Sequence, residues 1–506
     1  MSTPIEGGGP RVPRWFRPAA AAVFVFAIGI RLPGINASLW IDEAGSVARA
    51  TAENFWATAR ADVHPPLYFL LLRWGLQVTN SFAILRLFSV AAGVGLVGAG
   101  IFFFRRTPVA AIALGSILAG LPELVSQSEQ LRPYALLFLL LGVALMISIQ
   151  IASGECTRGA RISLTLVLVA AAATHIGTAF FILALAPLLA WPARKSGPRA
   201  VAISLLPLVP SGVVLLVLEF GFLQSPAGLP EGWWIPRARP GQIAAALSDA
   251  TGWTDLAALG DDASRHAAGG GAVLRAVGFG AAVYGIFAAW GRRRRAPVSV
   301  LLLASGLVYL VTLVAYSQVT EPLVIGRTIL PGLLPIAAGI ALGIAANPRS
   351  AQRAGALVAI AVFFLLASEH GLRRAFTPAK GLRGLAAEAR GRYRPGDQVV
   401  LLRAMDYGLR PYWADLPGTL PVEIDQTQPI GAQLSALRLR LDSLGPSARL
   451  LVICRDDYYL RAFSAEVAAV LAVFSERGFT LRETWREGDL FMLEGVRGGT
   501  KGGGAP

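Results

Sequence analysis

Asp42 and Glu43 stand side by side in Leu39-Trp40-Ile41-Asp42-Glu43, just after the first hydrophobic stretch of a chain dominated by apolar residues. Two adjacent carboxylates at the mouth of a membrane helix are costly unless they face water, a partner or a substrate. Carboxylates so placed can move protons, and the pair marks a candidate active site. Six further residues extend the set: His64, Glu129, Arg132, His175, Glu321 and Arg327. Whether they form one site depends on the elements that carry them.

Composition bounds those elements. The chain has 506 residues, of which 54% are hydrophobic and 15% charged, and its mean hydropathy is +0.57. That profile excludes an ordinary soluble enzyme and points to a polytopic membrane protein. The net charge of +15 does not read as nucleic-acid binding, because the arginines fall in short clusters between apolar stretches. Arg105-Arg106, Arg158 with Arg161, Arg194-Lys195 with Arg199, and Arg292 to Arg295 have the spacing of topology-setting charges. Cys156 and Cys454 suggest no disulfide framework, and Cys454, ending an apolar run, reads as a buried core thiol. Arg11, Arg14 and Arg17 precede an apolar segment, no Ala-x-Ala-type cleavage site lies between its end and Leu39-Trp40, and many more spans follow, so a retained signal-anchor helix is expected.

Threading the arginine clusters to the inside gives about eleven spans of about 17 to 25 residues each. Residues 1–17 form a disordered cytoplasmic N-terminus, and residues 18–372 a transmembrane domain. The first span delivers a long outer loop, 34–81, holding Asp42-Glu43 and then His64-Pro65-Pro66-Leu67-Tyr68. The apolar stretch that follows, up to Arg73-Trp74, reads as a helix on the outer surface, with a short spanning helix as the rival. Further spans are expected at 82–104, 108–126 and 134–152, and the run 162–191 divides near Thr174-His175. The remainder fall at 200–221, 273–291, 297–317, 328–346 and 354–370. A large outer loop, 222–272, carries Trp233-Trp234, Asp255 and Asp261-Asp262. From about Arg373 the chain turns charged, and residues 373–497 read as a small extracytoplasmic α/β domain. Its expected elements are helices near 380–392, 430–444 and 461–477, strands at 398–402 and 449–454, and a hairpin at 480–486 and 490–496. The glycine-rich tail 498–506 reads as disordered.

This threading collects Asp42, Glu43, His64, Glu129, Arg132, His175, Glu321 and Arg327 on the outer face. A proton- or ion-coupled transporter would place some ionisable groups near the midplane. Here they gather where a lipid headgroup would be met.

The motifs resemble those of bacterial GT-C glycosyltransferases. The group is that of dolichyl-phosphate-mannose-protein mannosyltransferases and lipid A aminoarabinose transferases (glycosyltransferase family 39-like). The matching stretches are Leu39 to Glu43, His64 to Tyr68, Ser128-Glu129-Gln130-Leu131-Arg132-Pro133-Tyr134, Thr174-His175, and Gly326-Arg327 before a proline-containing apolar span. They cover most of residues 20–345 in order. The resemblance implies a polyprenyl-phosphate-linked sugar donor and a hydroxyl acceptor on a protein, lipid or cell-envelope glycan. It places catalysis at the extracytoplasmic surface of a bacterial inner membrane, with inversion.

Such a transfer needs a base on the acceptor and positive charge on the departing phosphate. Asp42 is the expected base and Glu43 its catalytic neighbour; capping a helix or pairing with an arginine is the structural alternative for both. Arg132 and Arg327 are the expected phosphate ligands, since a guanidinium fork matches phosphate oxygens and stays charged in a partly buried cavity. Glu129 could position Arg132, orient the acceptor or help hold a metal. His64, Tyr68, Tyr134 and His175 complete the expected substrate-binding set, though a histidine can equally satisfy backbone groups and aromatics are common at interfaces. A divalent metal is compatible with two histidines and carboxylates, but their spacing matches no compact metal motif, and no metal ligand or other cofactor is assigned. The α/β domain has no glycine-rich nucleotide fingerprint. The rival from another class is a lipid-linked saccharide transporter or flippase, and a third reading is a catalytically silent binding subunit.

Overall fold

The structure is a computed structural model, and it describes residues 12–60, 64–155, 157–223, 235, 238–251, 280, 283–288, 290, 297–319, 322–347, 349–361, 381–402, 405–413, 419–422, 430–445, 448–455, 461–487 and 490–497. The chain divides into two compact units, one of Met1–Ile35, Glu53–Gln224 and Ile235–Phe376, the other of Asn36–Ala52, Ser225–Trp234 and Thr377–Pro506.

The first unit is helical. Its helices include α1 (Phe16–Gly29), α3 (Phe55–Arg60), α4 (Leu67–Val78), α5 (Phe82–Phe103), α6 (Pro108–Gly120), α7 (Pro122–Ser128), α8 (Tyr134–Ala152), α9 (Arg158–Ala172), α10 (Thr178–Ala193), α11 (Pro198–Leu205), α12 (Val209–Leu223), α13 (Pro240–Thr251), α14 (Pro297–Val319) and α15 (Gly326–Ala345), with α2 (Ile41–Thr51) belonging to the second unit. Among the described residues six spans are long and apolar enough to cross a membrane, or seven if the bent pair α6–α7 counts as one. The expected count of about eleven is therefore not reached among the described residues. Helices α9 and α10, of 15 and 16 residues, fall short of the roughly 20 that a bilayer core demands. The spans expected at 273–291 and 354–370 lie largely outside the described residues. Helix α4 has 12 residues, too few to span, which disfavours the spanning rival for that segment.

The span expected at 108–126 is not continuous. It breaks at Leu121 with a bend of 62°. Pro122 opens α7 and has no N–H to offer the Leu118 carbonyl one turn back. Arg31 replaces the missing donor: its Nη2 donates to Leu118 O at 3.1 Å and its Nη1 to Ala119 O at 2.9 Å. The same guanidinium donates to Ala27 O at 3.0 Å and, through Nε, to Ser128 Oγ at 3.2 Å. A Cβ on Gly93 would lie 2.1 Å from Ser128 Oγ, so only glycine admits Ser128 there.

Elsewhere α14 packs on α15, α5 on α8 and α6, and α8 on α9. The α14–α15 approach is close because Gly306 faces the Gly332 carbonyl, 2.6 Å from where a Cβ would stand. Within the large loop expected at 222–272, α13 packs against α7 and α15, and Gln318 Nε2 donates to Ala238 O just before it.

The second unit is built on a five-stranded sheet of order β2-β1-β3-β5-β4. Its strands are β1 (Gln398–Leu402), β2 (Thr419–Val422), β3 (Arg449–Arg455), β4 (Phe479–Glu487) and β5 (Leu490–Arg497), and its helices after α2 are α16 (Gly381–Arg392), α17 (Met405–Leu409), α18 (Ile430–Asp442) and α19 (Arg461–Glu476). Strand β1 runs parallel to β2 and β3, while β5 is antiparallel to β3 and β4. The strands β1 and β3 are apolar without alternation because both sheet faces are covered. Val399, Leu401, Leu451 and Ile453 face a core with α16 and α17; Val400, Leu402, Leu450, Val452 and Cys454 face one with α18 and α19. Cys454 is buried, as its apolar setting suggests.

Candidate functional site

Within the helical unit, residues distant in sequence meet at one end of the bundle. Pro65-Pro66 starts α4 and leaves His64 just ahead of it, and the Leu67 N–H donates to Ala173 O at 2.9 Å in the break before α10. That contact brings His64 beside His175, with ring centroids 5.0 Å apart. Tyr134, the first residue of α8, closes the cluster: its ring lies 5.1 Å from His175 and its hydroxyl 3.4 Å from His64 Nε2. The Gly177 N–H donates to His175 Nδ1 at 2.9 Å, so the neutral ring carries its proton on Nε2. His64, Tyr134 and His175 are all buried.

Two guanidiniums flank the same tyrosine. Arg132 Cζ stands 5.6 Å and Arg327 Cζ 5.4 Å from the Tyr134 ring centroid, within cation–π range. Their centres are thus at most about 11 Å apart, where two like charges repel by about 1.5 kcal/mol or more at an effective dielectric constant of about 20. Arg132 is buried. Arg327 was expected just ahead of its span but occupies the first turn of α15. Thr328 sets that turn, since its hydroxyl accepts the Ile325 N–H at 3.1 Å. Tyr309 of α14 donates to Thr328 O at 2.8 Å. Tyr68 is buried on α4, its ring 6.0 Å from Phe69.

Glu129 caps α7 and lies against Gly34; a Cβ there would stand 2.4 Å from the carboxylate. Burial pushes Glu129 up to about 7, while Arg31, the Gly34 N–H and Arg86 pull it down. Arg31 and Arg86 are both fully buried, and Arg86 Nη1 donates to Ile35 O at 2.9 Å. Neither stands in the sequence-derived set. The signal was there: both arginines sit at the end of a span where the inside bias would not place a charge.

Asp42 and Glu43 belong to the other unit and lie in the first turn of α2. Glu43 is buried, and its Oε2 accepts the Trp40 N–H at 3.1 Å, the reach-back half of a capping box. Asp42 is half-buried, and its carbonyl accepts from Ser46 Oγ at 2.9 Å. Glu321, Trp233 and Trp234, with Asp255, Asp261 and Asp262, lie outside the described residues. Among the described residues no group of three or more His, Cys, Asp or Glu could hold a metal ion.

A cavity of about 540 Å³ lies at the other end of the bundle, among Phe103, Arg105, Gln150, Ser299 and Leu342. The 19 residues of α8 put about 27 Å between the bundle ends. None of the candidate residues lines that cavity.

These features define a mostly helical protein whose described residues include six or seven spans apolar enough to cross a membrane, joined to a smaller α/β unit. The structure resembles ArnT from Cupriavidus metallidurans bound to undecaprenyl phosphate, with a TM-score of 0.53 at 14% identity over 95% of this chain and 97% of that one. The apo ArnT structure gives a TM-score of 0.43 at 14% identity over the same shares. No family model and no curated protein matches the sequence. The chain therefore shares the fold of lipid A aminoarabinose transferase, as its motifs imply.

Proposed function

We propose that this protein is a membrane glycosyltransferase that moves a sugar from a polyprenyl-phosphate donor to a hydroxyl acceptor at the extracytoplasmic face of the bacterial inner membrane. The observation that carries the reading is the pair of guanidiniums on Tyr134 beside His64 and His175. Two cations held together on one aromatic ring favour an anion between them. A lipid phosphate at the end of a spanning bundle is an anion of that kind, and the ArnT structure that shares this fold holds undecaprenyl phosphate.

In this reading Arg132 and Arg327 bind the donor phosphate and stabilise the charge it gains as it leaves. Tyr134 and the Nε2–H of His175 add neutral donors, and Tyr68 and His64 shape the wall. Asp42 takes the proton from the acceptor hydroxyl. The oxygen attacks the anomeric carbon, the bond from that carbon to the phosphate oxygen breaks, and polyprenyl phosphate departs with the electron pair. A single displacement inverts the anomeric centre. Glu43 supports the turn that carries Asp42, a duty its bond to the Trp40 N–H favours over direct chemistry.

The test uses purified protein in lipid vesicles with a panel of labelled undecaprenyl-phosphate sugars and extracted envelope acceptors. Asp42→Asn is expected to lower kcat by about 10²- to 10⁴-fold with little change in KM for the donor. Arg132→Gln and Arg327→Gln are each expected to weaken undecaprenyl-phosphate binding by about 10- to 100-fold, the worth of one charge-assisted contact. Near-normal turnover in Asp42→Asn removes the base assignment. Passage of the labelled lipid across the vesicle, with no transfer from any donor, makes the protein a transporter instead.

A further inference from the structure

The segment that carries Asp42 is continuous in sequence with the helical unit on both sides, yet it folds as part of the C-terminal unit. Asn36–Ala52 groups with Thr377–Pro506, not with Met1–Ile35 or Glu53–Gln224. Helix α2 has 11 residues, a length at which an isolated helix is marginal in water, so its position is set by what it packs on. Ile41 and Ala44, on one face three residues apart, enter the core formed by Leu382, Leu385, Met405, Leu409 and Trp413 against β1 and β3. Gly408 permits the approach: a Cβ there would stand 3.0 Å from Ile41 Cδ1. Two hydrogen bonds then pin the backbone just before the helix. The Leu39 N–H donates to the Tyr412 hydroxyl at 2.6 Å, and the Arg383 N–H donates to Ser38 Oγ at 2.9 Å. Gly381, at φ +53°, leaves room for Ser38, 3.0 Å from where its Cβ would be. Asp42 follows Leu39 by three residues and Ser38 by four, half-buried beside Ile41 and outside the apolar contact.

We propose that the C-terminal α/β unit is the mount for Asp42, and that Tyr412 is a positioning residue for it. The proposal rests on the reading of Asp42 as the base. It gives the α/β unit a task in catalysis: whatever displaces or steadies the sheet displaces or steadies the carboxylate. A general base misplaced by about 1 Å can lose on the order of 100-fold in rate, so one hydrogen bond at the root of α2 has leverage far beyond its contribution to stability.

Two measurements on the full chain in lipid nanodiscs decide it. In native-state hydrogen exchange, the α2 amides should open with β1 and β3, with the same denaturant dependence, and Tyr412→Phe should speed exchange selectively at residues 39–44. Exchange of α2 in step with the spanning helices overturns the mount, whatever the protein's activity. In transfer assays, Tyr412→Phe should lower kcat about 10- to 100-fold, leave KM for the lipid donor within about twofold and leave the unfolding temperature unchanged. Leu437→Ala, in the core on the opposite sheet face, is the control for general destabilisation. A kcat for Tyr412→Phe near wild type, or a fall that only tracks stability as in Leu437→Ala, overturns the positioning role. A wild type that transfers no sugar but passes the exchange test removes the base assignment and leaves the mount standing.

Discussion

Arg31 in the helical unit and Arg449 in the C-terminal unit are both largely withdrawn from solvent, yet different groups meet their guanidiniums. Arg31 donates to three backbone carbonyls and a serine hydroxyl. Arg449 donates to the Asp397 carboxylate at 2.7 Å, to Arg392 O at 3.1 Å, and lies 3.2 Å from Glu494. Around it Arg392 pairs with Glu388 and Glu494. The difference follows from the surroundings. Among apolar helices, carbonyls freed by a proline are partners that need satisfying anyway, and burial works against ionising the neighbouring Glu129. At the start of β3, where Arg449 keeps 17% of its side chain exposed, part of the desolvation cost is spared and carboxylates can stay ionised beside it.

That contrast predicts a graded set of effects. Arg31→Met should be the most damaging, because it strands buried acceptors at Leu118 and Ala119 at about 1–3 kcal/mol each. A loss of about 3–5 kcal/mol in unfolding free energy is expected in detergent, and Pro122→Ala in the same chain should recover part of it by restoring a donor to Leu118 O. Recovery of none would mean that the arginine does not replace the missing N–H. Arg449→Met should cost less, about 2 kcal/mol, since it breaks a partly buried pair. An Arg449 effect as large as that of Arg31 would break the comparison.

Glu129 sharpens it in a graded way. Its carboxyl is raised from the usual 4.5 to about 7, so between those values the folded state binds more protons than the unfolded one. The contribution of Glu129 to stability should be greatest below pH 4.5, fall as pH rises to about 7 and level off above that. Glu129→Gln should flatten the profile over this window, read by thermal unfolding. Smallest of all, Arg486→Ala should leave the unfolding temperature unchanged, because its partner Glu483 is exposed.

Much of the fold was legible. The hydropathy pattern marks α5 and α8 to within a residue at each end, and Thr174-His175 marks the division between α9 and α10. The β1 and β3 strands and the αL turn at Gly396, with φ +97°, follow from local sequence. The break at Leu121 was missed because an apolar run with one proline near its end still reads as a single span. Arg31, which makes the break tolerable, lies 88 residues from Ala119 O. For the candidate site, the residue types around Tyr134 were legible, while the capping duty of Glu43 emerged only with the turn that creates it.

By itself the sequence determined the repertoire: helices long enough for a bilayer, an α/β unit, and a set of carboxylates, arginines and histidines at span ends. These are local properties, set by hydropathy over a few turns and by the cost of charge in hydrocarbon. The tertiary structure decided which of those residues meet. It brought His64, Arg132, His175 and Arg327 to one tyrosine, and it bound the Asp42 helix to strands that lie more than 350 residues further along the chain. Contacts of that range depend on which helix and sheet faces are complementary, and no local pattern records them.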